Sequence, residues 1–225
     1  MIRMANPMDT QQQFWWNWVV NVGVALGTLG AVFAALFGDI LRSKWFPPCL
    51  QLTLPHPEGH KTQIKWPVKT ETGMEQRAED VRYYHLRVSN TRRWSPAREV
   101  QVFLTRVEEP GPDNALQVVW SGDIPVYWDH QELFPPARTI GPAADCVLCS
   151  VLKGGALVLH PLVVPFNMKT RWEKSCTVIT SFQARSSQAD SDNIRVQIAW
   201  DGHWEDGEAE MKRHLVVKML GSHVA

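Results

Sequence analysis

The sequence lacks a net charge. Lys+Arg and Asp+Glu each number 23 over 225 residues, so no overall field draws the chain to nucleic acid or to anionic lipid, and nucleic acid is not an expected partner. Cysteine is scarce. Cys49, Cys146, Cys149 and Cys176 are too few and too scattered for the disulfide framework of a small secreted scaffold, and they fit a reduced compartment better. Signatures of chemistry are missing too. The eight histidines form no HExxH or HxH pair, no serine sits in a Gly-x-Ser-x-Gly elbow, and no phosphate-cradling glycine loop occurs. The expectation is a protein with no catalytic set, no metal site and no cofactor, and hence not an enzyme.

A further absence marks the N-terminus. No ionisable residue lies between Asp9 and Asp39, and residues 14–37 are apolar apart from Asn17, Asn21 and Thr28. A helix needs about 20 apolar residues to cross a hydrocarbon layer roughly 30 Å thick. A buried core helix seldom goes so long without charge, and the run is too long for the apolar region of a cleaved signal peptide, with no clean small-x-small site at Ala31–Ala35. Eleven tryptophans are many for this length; Trp15, Trp16 and Trp18 stand at the entrance of the run and Trp45 just beyond it, as interfacial aromatics do. The organisation expected is a short tail over 1–13, a single transmembrane helix over 14–42, and a domain over 48–225 after the Pro47-Pro48 stop. Arg42 and Lys44 follow the run directly while only Arg3 precedes it, which places the C-terminal domain in the cytoplasm by the positive-inside rule.

Small residues recur along this helix. Gly23, Gly27, Ala31 and Ala35 form a ridge, with Gly30, Ala34 and Gly38 beside it. Such ridges let helix backbones approach in lipid, where packing and polar contacts drive association. The expected partners are therefore the bilayer and other copies of the chain.

Beyond the prolines the pattern has a period of two. Tyr84, Leu86 and Val88 alternate with His85 and Arg87; Val100, Val102 and Leu104 form another series, as do Cys176, Val178, Thr180 and Phe182, and Ile194, Val196, Ile198 and Trp200. Apolar runs at 50–54, 116–120, 147–152, 156–162 and 215–220 add further strands. Gly154-Gly155 and Asp201-Gly202 read as turns, and helical signal is confined to residues 208–212. Nine or ten short strands predict a mainly β domain, a sandwich or open barrel.

The stretch YYHLRVSNTRRWSPAREVQVFLTRV, residues 83–107, resembles a strand-loop-strand unit of immunoglobulin-like bacterial sandwich modules. The stretch IRVQIAWDGHWEDGEAEMKRHLVVKM, residues 194–219, resembles a signature of uncharacterised bacterial single-pass membrane proteins. The resemblance implies an immunoglobulin-like β-sandwich behind the helix and no particular activity.

Three groups are candidates for function. Cys146-x-x-Cys149 has the spacing of half a zinc site, but residues three apart on a strand point to opposite faces, so packed thiols are expected. Asp201, Glu205, Asp206, Glu208 and Glu210 read as a solvent-facing acidic hairpin. Arg92, Arg93, Trp94 and Arg98 form the one compact basic and aromatic group, on a loop between two strands, suited to ligand contact. The expected function is a membrane-tethered interaction or ligand-sensing module with a self-associating anchor and an unknown protein or small-molecule ligand. One version is a membrane effector of a bacterial defence system. The alternative is an envelope-anchored protein with its sandwich outside the cytoplasm, binding glycans or surface proteins.

Overall fold

A computed structural model describes residues 10–70, 73–129 and 137–221. The chain divides into two units, Met1–Phe46 and Pro47–Ala225. In the first, helix α1 runs over Thr10–Trp45, beyond both ends of the 14–42 segment expected from hydrophobicity. Apolar composition marks what lipid can cover, whereas helical hydrogen bonding continues through flanking polar residues until Pro47 and Pro48 stop it. Gln13–Gly38, 26 residues, is long and apolar enough to span a membrane, and its side chains are exposed along their length. Thr28 satisfies its hydroxyl within the helix, Oγ1 donating to the Val24 carbonyl at 2.8 Å. Residues 1–9, most of the expected tail, lie outside the described residues.

The second unit is mainly β. Its strands are β1 (Leu50–Thr53), β2 (His60–Thr70), β3 (Gly73–Asn90), β4 (Ala97–Pro110), β5 (Leu116–Pro125), β6 (Arg138–Ile140), β7 (Ala143–Leu152), β8 (Leu157–Leu159), β9 (Arg171–Trp172), β10 (Cys176–Arg185), β11 (Ile194–Trp200) and β12 (Leu215–Leu220), with helix α2 (Glu208–His214) before the last. One sheet has the order β1-β3-β7-β8-β9 with β2 also against β3; the other has β12-β11-β10-β4-β5 with β6 against β4. All pairings are antiparallel.

The two sheets close on one core. Leu52, Tyr84, Leu86, Val88, Leu148 and Leu157 from the first meet Val102, Leu104, Phe182, Val196, Ile198 and Leu215 from the second in a single buried cluster. The period of two is thus expressed as burial on one face of each strand, and burying these side chains drives the closure, each worth roughly 1.5–3 kcal/mol.

Three local features shape the sandwich. β3 is long enough to pair with β1 through residues 87–90 and with β2 through residues 73–83, so residues 73–80 and β2 make a two-stranded ribbon beyond the β7 pairing. After β5 the chain passes from the second sheet to the first: Val126 bridges Pro161 and Trp128 bridges Cys146. A bulge between Tyr84 and His85 in the β3–β7 register makes room for an extra β7 residue. Cys146 and Cys149 therefore both enter the core, correcting the expectation that they face opposite ways. Burial pushes both thiols well above the usual range.

Candidate functional site

The face of the first sheet turned away from the core is polar. Tyr83, His85 and Arg87 on β3 alternate with buried Tyr84, Leu86 and Val88. Across the ladders, Tyr83 opposes Ser150, His85 opposes Val147 and Arg87 opposes Asp145. The crossing segment adds Tyr127 and Asp129, held by hydrogen bonds from Val147 N–H to the Tyr127 carbonyl at 2.8 Å and from Asp129 N–H to the Asp145 carbonyl at 2.9 Å. His160 follows β8 directly, and His56, His60 and the start of β2 form the far wall. Together they enclose a cavity of about 860 Å³, a size suited to a small ligand.

Its inner wall is organised around His160. The Ser150 hydroxyl and His160 Nε2 are 2.7 Å apart, and the Tyr83 ring lies 5.6 Å from the imidazole. Burial, with the neighbouring His85 adding a smaller effect, pulls His160 down to about 4, so it is neutral near pH 7. His85 Nε2 stands 3.7 Å from an Asp129 carboxylate oxygen. Arg87 grips Asp145 through two hydrogen bonds, Nε to Oδ1 at 2.7 Å and Nη2 to Oδ2 at 2.8 Å. That pairing holds the Asp145 carboxyl below its ordinary range and leaves the guanidinium committed.

Ser150 and His160 resemble a nucleophile-base pair only in distance. Ser150 is itself buried, and its hydroxyl holds the imidazole in place. The cavity presents the Tyr83 and Tyr127 rings, the imidazoles of His56, His60, His85 and His160, and the carboxylates of Asp129 and Glu208, while Glu58 and Asp145 pair with Lys212 and Arg87. Hydroxyls or a cation find acceptors there.

Beside the cavity the two sheets are clamped. Arg82 is fully buried; its Nη2 donates to the Asp206 carbonyl at 3.0 Å and its Nη1 to the Glu58 carbonyl at 3.4 Å. Outside it, Lys61 and Lys153 each bridge Asp80 and Asp206, at 2.6 Å for Lys61–Asp206 and 3.1 Å for Lys153–Asp206. Trp204 Nε1 donates to Asp206 at 3.0 Å. Part of the acidic group read as a solvent-facing hairpin thus belongs to this clamp, and Glu208 and Glu210 belong to the first turn of α2.

The basic loop is placed elsewhere. Asn90, buried at the end of β3, accepts from Cys49 N–H at 3.2 Å and Arg92 N–H at 3.1 Å and donates to the Ser95 carbonyl at 2.7 Å, which fixes the turn. Arg92 donates to the Pro47 carbonyl at 2.9 Å, while Arg93 and Trp94 are exposed. Arg98 has its N–H on the Gln188 side chain at 3.0 Å. None of these four residues lines the cavity. The ridge of Gly23, Gly27, Ala31 and Ala35 is exposed along α1, and a Cβ built at Gly23 or Gly27 meets nothing within 4 Å.

The cavity residues form no motif in the sequence because they come from several separate segments, which the strand register and the bulge bring together. No protein-family model matches the chain, and no curated protein and no solved structure matches it either.

Proposed function

We propose that this chain is a membrane-tethered ligand sensor. Its N-terminal helix holds it in a bilayer and associates with other copies through the Gly23, Gly27, Ala31 and Ala35 ridge. Its immunoglobulin-like sandwich receives a neutral hydroxylated or cationic small molecule in the His85–His160 cavity. The observation that carries this reading is the cavity itself, of about 860 Å³, with a pinned imidazole and ring-bearing walls. Arg42 and Lys44 favour a cytoplasmic domain. In the effector version, ligand binding alters the assembly of the anchors and permeabilises the membrane of a bacterial cell, a layout argument that rests on the joining of anchor and sensor.

The envelope-anchored alternative draws support from the same walls, since tyrosine rings with carboxylate and imidazole partners suit a sugar. A C-terminal reporter fusion separates the two: activity of a reporter that works only in the cytoplasm supports the sensor, and activity of one that works only after export supports the envelope protein. The ligand reading is tested by thermal shift of the full chain in detergent with methyl glucoside, spermidine and ATP. Stabilisation by the glucoside or spermidine, lost in Tyr83→Ala, is expected. Stabilisation by ATP alone, or no Tyr83 dependence, would overturn it.

A further inference from the structure

The excursion between β11 and β12 brings together three side chains that the sequence scatters. Asp201 leaves β11, His203 follows across Gly202, whose φ of +96° turns the chain back, and His214 is the last residue of α2. Asp201 stands between the two rings, with Oδ2 2.7 Å from His214 Nδ1 and Oδ1 3.3 Å from His203 Nδ1. One ligand atom from each residue falls within 4.8 Å of the other two. Donor atoms around a tetrahedral ion with bonds of about 2.0–2.1 Å lie roughly 3.3 Å apart, so small ring rotations suffice to converge on one.

The backbone holds this set in place. Asp201 N–H donates to the His214 carbonyl at 3.0 Å, joining the two ends of the excursion. His203 N–H donates to Asp201 Oδ1 at 2.9 Å, and Trp200 Nε1, from a buried ring, donates to the His203 carbonyl at 3.0 Å. These contacts fix where the three residues sit, and the His214 Nδ1–Asp201 Oδ2 contact is the one that a bound ion replaces.

We infer that Asp201, His203 and His214 form a binding site for a borderline first-row divalent cation, of which zinc is the type. Two imidazoles and one carboxylate suit such an ion, whereas calcium and magnesium require oxygen donors throughout. The remaining coordination position faces solvent and takes water. Binding closes the excursion at its base and fastens His214 where β12 begins. Among the described strands β12 lies at the sheet edge and pairs with β11, so the ion stabilises that edge. This site is independent of the sensor cavity, whose lining contains none of the three residues.

The test is calorimetric titration of zinc chloride into the full chain in detergent, prepared without a histidine tag and stripped with chelator. One ion per chain is expected, with a rise in thermal midpoint and no response to calcium chloride. His203→Ala, at a largely exposed side chain, should weaken zinc binding at least about tenfold, which is the smaller end of what losing even an outer partner of a metal ligand costs, and His214→Ala should do the same. His56→Ala should leave it unchanged. Absence of zinc binding in the wild type, or affinity that neither His203→Ala nor His214→Ala alters, would overturn the assignment.

Discussion

Ser150 on β7 fixes His160, which follows β8: the hydroxyl and Nε2 are 2.7 Å apart, with the Tyr83 ring alongside. The consequence is a pH dependence with a defined window. Burial lowers His160 from 6.5 to about 4, so between those values the unfolded chain binds a proton that the folded chain refuses. Stability contributed by the neutral imidazole is complete above about pH 6.5 and is lost as pH falls towards 4, up to about 3 kcal/mol for this shift. Thermal unfolding at pH 7, 5.5 and 4.5 should show the decline, and His160→Gln, which keeps a partner for Ser150, should flatten it. An equally steep decline in the variant would assign the effect to other groups.

Asn90 fixes the turn that carries the basic loop, through three hydrogen bonds at a buried site. Asn90→Leu leaves two N–H groups and a carbonyl without their partner and should cost about 1–3 kcal/mol or more in urea unfolding. Arg93→Ala, on the exposed part of the same turn, should stay within about 0.5 kcal/mol.

Asp206 receives Lys61, Lys153 and Trp204, and these contacts hold its carboxyl well below the usual carboxylate range, with the Lys61 hydrogen bond the largest cause. Asp206 therefore stabilises the fold while it is ionised, above the unfolded carboxylate value near 4, and loses that contribution as pH falls through its lower folded value. Asp206→Asn should lower the thermal midpoint by a few degrees at low salt and by less at high salt, because exposed ion pairs are screened. Differential scanning calorimetry at two salt concentrations checks both.

The core-facing strands were legible in the sequence because each has one buried face: Tyr84, Leu86 and Val88, or Ile194, Val196, Ile198 and Trp200, leave a period of two that composition alone exposes. The outer ribbon did not show itself. Residues 73–80, GMEQRAED, carry no apolar alternation that would mark a strand, and Pro67 argues against one over β2 from sequence. The zinc ligands were hidden for a related reason. Asp201 and His214 are separated by a short helix, and the β11–β12 register, which ends with Trp200 opposite Leu215, makes them neighbours. Cys146 and Cys149 show the limit from the other side: ideal alternation puts them on opposite faces, and one bulge opposite Tyr84 and His85 puts both in the core.

The anchor is where the functional account is most exposed to test. Gly27 leaves open space in the single chain, so Gly27→Ile should insert normally and disturb only contacts between copies. Val24→Ile, off the ridge, should change little. The decisive measurement is chemical crosslinking of the full chain in native membranes, wild type against Gly27→Ile, with each membrane fraction washed at alkaline pH. Both proteins should remain in the membrane, the wild type should crosslink to dimers or larger species, and Gly27→Ile should yield far fewer. Wild-type protein that washes off the membrane, that stays monomeric at every concentration, or that crosslinks no better than Gly27→Ile would contradict a self-associating anchor.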